Sequence, residues 1–167
     1  MKKITTNSAK ETREVAAKFA WQILRHKPGK NSVVLGLKGD LGAGKTTFLQ
    51  GFARGLGIKE KILSPTFIIM KTFQIPAIKT KNHPYQKIRS SVFSGRGKFK
   101  CFYHFDCYRL NNPEEILDLG FKEIISNPEN IVAIEWPEKI STILPRNIIS
   151  IQLEHGAENQ RTLTIKK

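Results

Sequence analysis

The sequence of 167 residues is poor in acidic side chains, has only two cysteines and contains no long apolar run. Its 14 aspartates and glutamates face 28 lysines and arginines, and the formal net charge of +14 favours polyanionic partners such as RNA. Two cysteines offer neither a disulfide framework nor four zinc ligands, so we expect reduced packing residues. No stretch approaches the ~18 continuous apolar residues of a membrane span, and the N-terminus lacks the apolar segment of a secretory signal. These absences predict a cytoplasmic protein without a membrane contact.

A glycine-rich segment behind an apolar run is the most informative motif. Residues 39–46 read Gly-Asp-Leu-Gly-Ala-Gly-Lys-Thr, the complete G-x-x-x-x-G-K-T phosphate loop, and residues 33–37 before it have strand character. In such a loop the backbone N–H groups surround phosphates, Lys45 adds a positive charge and the Thr46 hydroxyl reaches Mg²⁺. The apolar side chains after the loop recur at helical spacing, which predicts a helix that begins at the loop. The N-terminus of such a helix also favours phosphate. The motif predicts nucleotide binding by Gly39, Asp40, Leu41, Gly42, Ala43, Gly44, Lys45, Thr46 and Thr47.

Mg²⁺ must also be held on the far side of the phosphates, and few aspartates are available for this role. The chain has only three. Asp40 lies inside the loop, and Asp118 falls in a predicted acidic helix. Asp106 ends the predicted strand 101–106, and parallel α/β sheets place their ligand groups at such strand ends. Asp106 is therefore a candidate metal ligand and catalytic residue.

A glutamate stands where a Walker B strand usually carries an aspartate. Glu135 follows the apolar run 131–134. Its carboxylate could contact Mg²⁺, hold a metal-bound water or activate the attacking water, and the sequence leaves these alternatives open. Thr46, Asp106 and Glu135 form the predicted metal set. Lys45, Asp106 and Glu135 form the predicted catalytic set.

Other side chains are candidates for the surroundings of this site. Ser64 and Thr66 flank a proline beyond the loop helix, where a segment can reach over the γ-phosphate and change its order with the nucleotide state. The alternative is a simple Ser-Pro turn. Trp136 would stack on a base or a partner, or fill the edge of the core. His104 alternates with Asp106 along its strand, and we interpret it as a hydrogen-bonded packing residue in preference to a catalytic base.

Positive charge is concentrated in one quarter of the chain. From Lys61 to Phe105 there is no acidic residue, whereas nine lysines and arginines lie there. Residues 76–98 are polar, basic and rich in Pro, Ser and Gly, which predicts a long loop or a partly ordered insertion. This segment is either a contact for tRNA or a partner protein, or a solvated basic loop.

The order of the apolar patterns predicts a single α/β domain over residues 1–167. A capping box at 8–11, followed by helical spacing, predicts a first helix over 9–25. Besides the strand before the loop, strands are predicted over 101–106, 131–134, 148–153 and 162–165. We expect a P-loop NTPase fold with a mostly parallel central sheet, flanking helices and antiparallel C-terminal strands.

Five segments together carry a family resemblance. They are Gly39 to Thr47, Ser64-Pro65-Thr66-Phe67, Tyr103-His104-Phe105-Asp106 with Tyr108-Arg109-Leu110, Pro113-Glu114-Glu115, and Glu135-Trp136-Pro137-Glu138. In order and spacing they closely resemble the TsaE (YjeE) family of bacterial P-loop ATPases across nearly all of the chain. The resemblance implies an ATPase that works with the TsaB and TsaD proteins in the threonylcarbamoyl modification of the adenosine next to the anticodon, in tRNAs that read ANN codons. It implies that ATP turnover supports the partner complex between catalytic cycles, without transfer of the group by this protein.

The resemblance also implies site roles, with ATP and Mg²⁺ as cofactors. Lys45 and Thr46 would contact phosphate and Mg²⁺, Asp106 and Glu135 would surround the metal and water, and Trp136 would lie at the edge of the site. Residues 64–66 would form a switch-like loop. The extra, mostly basic stretch before the His-Phe-Asp strand departs from the family pattern, which has a short hairpin there.

Sequence motifs distinguish the ATPase prediction from other functions of the phosphate loop. A GTPase would need a base-reading Asn-Lys-x-Asp segment, which the sequence lacks. A small-molecule kinase would close an arginine-bearing lid over its phosphates. Arg89 and Arg96 in the insertion are compatible with a lid, but no motif for a second substrate is present. The other alternative is a nucleotide-gated module that binds RNA or a partner, which the net charge favours.

Overall fold

The computed structural model describes residues 1–63, 68–77 and 99–167. In these ranges seven strands form one mixed sheet, in the order β1-β7-β6-β2-β5-β4-β3. The strands are β1 (Lys2–Thr6), β2 (Val33–Lys38), β3 (Met70–Gln74), β4 (Cys101–Asp106), β5 (Asn130–Glu135), β6 (Ile149–His155) and β7 (Arg161–Lys166). The helices are α1 (Ala9–Arg25), α2 (Lys45–Gly55) and α3 (Phe121–Ser126), with 3₁₀ turns at Pro113–Leu119 and Pro137–Ile140.

The centre of the sheet is parallel and its margins are antiparallel. Strand β2 pairs in parallel with β5 and with β6, and β5 pairs in parallel with β4. Strand β3 runs antiparallel to β4, while β7 runs antiparallel to both β6 and β1. The predicted fold class is therefore confirmed, including the antiparallel C-terminal strands. The carboxyl ends of β2, β4 and β5 meet at one edge, where α/β sheets bind their ligands.

Alternating side chains divide the core into two layers. On one face, Leu35 of β2 and Ala133 of β5 pack with α1 and α2 in a cluster that includes Phe48. On the other face, Val132 and Ile134 pack with the Pro113–Leu119 turn and with α3. The first face thus has long helices, and the second has short helical turns.

Helix α1 has the predicted boundaries because its N-terminus is capped. The Ser8 hydroxyl accepts a hydrogen bond from the Glu11 N–H at 3.1 Å, and the Glu11 carboxylate accepts one from the Asn7 N–H at 2.8 Å. The first bond satisfies a donor that the first turn leaves without a partner, and the second ties the residue before the cap to that turn. The helix then runs along α2, so capping at residue 8 fixes the element that supports the loop helix.

Glycines on α2 allow α1 to approach closely. A Cβ on Gly51 would lie 2.2 Å from the Arg13 carbonyl oxygen, and one on Gly55 would lie 2.4 Å from that of Ala17. Both contacts are with backbone, which cannot move aside as a side chain could. Gly55 is also the last residue of α2, so one glycine both ends the helix and allows the close approach of α1. This close packing holds the loop helix in place.

Several elements were not predicted from the sequence. Strand β1 and helix α3 have no strong periodic pattern, and both depend on neighbours for their burial. The proposed switch residues Ser64 and Thr66, and residues 78–98 of the basic insertion, lie outside the described residues.

None of the helices in the described ranges is long and apolar enough to cross a membrane.

Candidate functional site

The loop between β2 and α2 has a backbone that only glycine adopts readily at three positions. Gly39, Gly42 and Gly44 have φ values of +137°, +77° and +99°. At Gly39 space is restricted too, because a Cβ would lie 2.3 Å from the Leu153 carbonyl oxygen. The glycines of the motif are therefore required by conformation, as the sequence pattern predicts.

Lys45 lies folded back onto its own loop. Its Nζ donates hydrogen bonds to the carbonyl oxygens of Gly39 at 2.6 Å and of Asp40 at 2.9 Å, and lies 4.0 Å from the centre of the Trp136 ring. The side chain is buried, and burial lowers the pKa of Lys45, while nearby carboxylates, Glu135 first, oppose that shift. An incoming phosphate would replace the two carbonyl acceptors.

The two predicted carboxylates come together at the ends of neighbouring strands. Asp106 and Glu135 are the last residues of β4 and β5 and lie opposite each other in the parallel register. Glu135 is only 3% exposed. The Thr46 hydroxyl lies 3.5 Å from Glu135 Oε1, at the outer limit of a hydrogen bond. The predicted metal set, Thr46, Asp106 and Glu135, is thus gathered on the side of the loop that faces β5.

A buried histidine lies behind these carboxylates. His104 is fully buried on β4, and its Nε2 lies 3.0 Å from Glu135 Oε1. The interpretation of His104 as a hydrogen-bonded core residue is confirmed. What the sequence did not indicate is that its partner is the candidate catalytic glutamate, because that contact depends on the register of β4 and β5.

Aromatic side chains close one end of the site. The Tyr108 and Trp136 rings lie 5.2 Å apart between centroids. Trp136 has a φ of +60°, in the left-handed region that bulky residues rarely occupy. The Tyr108 N–H donates to Asp106 Oδ1 at 3.1 Å, which anchors the segment after β4. Tyr108 was not among the predicted site residues, although its place two positions after Asp106 is a usable signal.

The β6–β7 hairpin lies against the other side of the loop. His155 Nε2 would be 3.4 Å from a Cβ on Gly42, and Arg161 Nε would be 3.8 Å from one on Gly44. These two side chains were also missed from the sequence. Only the pairing of β6 with β2 brings the hairpin to the loop, and that pairing has no local signature.

One cleft of about 230 Å³ unites most of the predicted residues. It is lined by Leu41, Gly42, Gly44, Lys45, Thr46, Thr47, Asp106, Tyr108, Glu135 and Trp136. Of the predicted loop residues, Gly39, Asp40 and Ala43 do not line the cleft, although the carbonyls of the first two hold Lys45. The cleft therefore combines a phosphate-type loop with two carboxylates.

The donor chemistry of this cleft fits a small hard cation. A threonine hydroxyl and two carboxylates offer the oxygen ligands that Mg²⁺ prefers, and Mg²⁺ usually binds through one or two carboxylates together with substrate phosphates. Among residues 1–63, 68–77 and 99–167, no group of three or more His, Cys, Asp or Glu side chains could hold a metal by itself. The arrangement suits a metal that arrives with a nucleotide.

Both cysteines are free, as expected. Cys107 follows Asp106 and is fully buried, and burial raises the pKa of its thiol to about 12. At neutral pH this thiol is protonated and unreactive. Cys107 is therefore a packing residue beside the site.

The strand, glycine loop and helix, in a sheet with a parallel centre, define the P-loop class of α/β proteins. Within it, the family described as "Threonylcarbamoyl adenosine biosynthesis protein TsaE" matches residues 6–163. Proteins named tRNA threonylcarbamoyladenosine biosynthesis protein TsaE are similar. The one from Rickettsia typhi is 35% identical over 98% of this chain and 93% of its own, and the one from Bacillus subtilis is 33% identical over 95% and 81%. The crystal structure of Bacillus subtilis YdiB has a TM-score of 0.68 at 29% identity, covering 98% of this chain and 83% of that one. The chain belongs to the TsaE family.

Proposed function

We propose that this protein binds ATP with Mg²⁺ and hydrolyses it in support of a TsaB–TsaD complex, during threonylcarbamoyl modification of the adenosine next to the anticodon in tRNAs that read ANN codons. The observation that carries the proposal is the cleft in which Lys45 and Thr46 of the loop face Asp106 and Glu135 of two strand ends. Membership of the TsaE family supports the place in tRNA modification. Such a role also favours the cytoplasmic location expected from the sequence.

The residues divide the work of hydrolysis between them. The loop N–H groups and Lys45 would hold the β- and γ-phosphates, with Lys45 leaving the Gly39 and Asp40 carbonyls. Thr46, Asp106 and Glu135 would hold Mg²⁺ directly or through water. When bound, Mg²⁺ would neutralise the charge that develops on the phosphates. A Glu135 oxygen is also placed to orient the attacking water, as hydrolysis requires.

The test of this function is phosphate release from ATP by the full chain, alone and with added TsaB and TsaD. We expect slow release by the protein alone, faster release with both partners, and loss of that release in Lys45→Ala. The alanine variant removes the charge while the loop glycines remain. Equal release by the parent and Lys45→Ala, or no acceleration by the partners, would contradict the proposal.

A contact with tRNA through the basic segment 76–98 remains a prediction from charge. We expect that deletion of residues 76–98 weakens tRNA or partner binding, and that the difference shrinks as salt is raised, because phosphate contacts release counterions. A matched variant keeps the length and replaces Lys79, Lys81 and Lys87 by glutamine, which separates charge from chain length. Equal affinities at low salt would leave the solvated-loop interpretation. Nucleotide-dependent tRNA binding without hydrolysis would favour the RNA-binding alternative.

A further inference from the structure

His104 is a fully buried polar side chain for which the mechanism above has no use. It lies on β4 two residues before Asp106, and its Nε2 is 3.0 Å from Oε1 of Glu135 on β5. A carboxylate has only acceptors, so the hydrogen in this contact belongs to the imidazole and Nε2 donates. The bond joins the two strands whose ends carry both candidate metal ligands.

The backbone fixes the geometry of this contact. In the register of β4 and β5, His104 lies opposite Ala133, and Asp106 lies opposite Glu135. Residues two apart on a strand share a face, so the imidazole reaches Glu135 diagonally across the pair. Both strands have a neighbour on each side in the sheet, and β5 is buried along its whole length. The imidazole therefore approaches the carboxylate from a rigid support.

The other imidazole nitrogen, Nδ1, indicates that packing alone does not explain a histidine at this position. In the part of the chain that the structure describes, Nδ1 of His104 is buried without a hydrogen-bond partner. A buried polar atom without a partner costs about 1–3 kcal/mol, so an apolar residue would serve packing better at this position. The single bond to Glu135 is the interaction that a histidine adds there.

We infer that His104 is a positioning residue that fixes the orientation of the Glu135 carboxylate; this inference rests on the proposed function. His104 and Thr46 both approach Oε1 of Glu135, at 3.0 Å and 3.5 Å. Oε2 is therefore the oxygen available to the metal or to the attacking water. Outer partners of metal-site carboxylates commonly contribute about 10- to 100-fold to metal affinity or activity.

The variants that test this role are His104→Gln and His104→Met. The two new side chains have nearly the same length and shape, but only glutamine carries an N–H donor near the position of Nε2. Thermal melting of both variants checks that they fold. A difference between them then reports the hydrogen bond, since the change in packing is matched.

Three measurements separate positioning from a structural role, and all use a Trp21→Phe background in which Trp136 is the sole tryptophan. They are ATP affinity without Mg²⁺, the Mg²⁺ concentration that half-saturates the Trp136 fluorescence change with ATP, and kcat with TsaB and TsaD. For His104→Met we expect unchanged metal-free affinity, about tenfold or more Mg²⁺ for half-saturation, and a kcat lowered by at least tenfold. For His104→Gln we expect values within about threefold of the parent.

The outcomes distinguish this inference from the proposed function. A folded His104→Met with parental Mg²⁺ dependence and kcat overturns the inference and leaves ATP hydrolysis standing, and so does a His104→Gln as impaired as His104→Met. A parent protein that binds no ATP overturns the proposed function and this inference with it. A separate readout needs no nucleotide: NMR of the parent should show a slowly exchanging His104 Nε2–H signal that is lost in Glu135→Ala, and its absence in the parent also overturns the inference.

Discussion

The two walls of the cleft are built in different ways. The loop wall consists of consecutive residues, and its shape depends on the backbone of Gly39, Gly42 and Gly44. The opposite wall consists of Asp106 and Glu135, which come from separate strands and meet through the register of β4 and β5. The first wall is thus a local conformation, and the second is a product of tertiary structure. Damage to the loop wall should impair folding and nucleotide binding together, whereas damage to the wall formed by Asp106 and Glu135 should impair metal binding and chemistry with little effect on folding.

The largest effect is expected from Gly39→Ala. The new Cβ would meet the Leu153 carbonyl oxygen at 2.3 Å in a backbone with φ of +137°. We expect the free energy of unfolding to fall by about 2–4 kcal/mol, from strain and a contact that cannot relax. Chemical denaturation measures it, and ATP affinity should fall as well.

Gly29→Ala is the matched control for this change. A Cβ on Gly29 has its nearest neighbour, the Asn31 carbonyl oxygen, at 3.9 Å, which is an ordinary contact. We expect its stability to lie within about 0.5 kcal/mol of the parent, as for most surface substitutions. Equal stabilities of the two alanine variants would show that the loop wall does not depend on glycine.

The second-largest effect is expected from a substitution in the opposite wall, which Asp106 and Glu135 form. Glu135→Gln keeps the size of the side chain and an oxygen that can accept from His104, but removes the charge. We expect kcat to fall by about 100-fold or more, because a base or a metal contact is lost, with little change in melting temperature. Steady-state ATP hydrolysis with TsaB and TsaD, and a melting curve on the same preparation, measure both. Normal hydrolysis by the glutamine variant would mean that Glu135 does not handle metal or water.

The smallest effects are expected at Trp136, where two substitutions separate the contribution of the backbone conformation from that of the ring. Both Trp136→Ala and Trp136→Gly remove the ring over Lys45, but only glycine relaxes a φ of +60°. We expect the glycine variant to be more stable than the alanine variant by about 1 kcal/mol, and ATP affinity to change less than tenfold in either. Denaturation curves of the pair provide the comparison. If the alanine variant were the more stable of the two, the left-handed backbone at residue 136 would not be strained.

The same contrast explains what the sequence could predict. Helix α1 and the loop were predictable because a cap at Ser8, helical spacing and the glycine motif are local signals. Asp106 and Glu135 were predictable as candidates from their places at strand ends, but their adjacency depends on which strands pair. The His104 partner, and the approach of Arg161 to the loop, required the strand order as well.

Strand β1 and helix α3 could not be predicted from the sequence, for a related physical reason. In β1 only Thr6 is buried, so Lys2–Thr6 shows no apolar alternation, and its extended form comes from pairing with β7. Helix α3 has six residues, and Phe121 alone among them is buried. Such short elements are stabilised by the core they cover more than by their own propensity.

If the proposed function is right, one nucleotide and one metal bind between the two walls. The most direct test is a crystal structure of the full chain with a non-hydrolysable ATP analogue and Mn²⁺, whose anomalous signal locates the metal. We predict that the β- and γ-phosphates lie against the loop and Lys45. The metal should contact Thr46 Oγ1 and the phosphates, with Asp106 and Glu135 within direct or one-water reach. A triphosphate bound away from the loop, or a metal with neither carboxylate in reach, would contradict the proposed site.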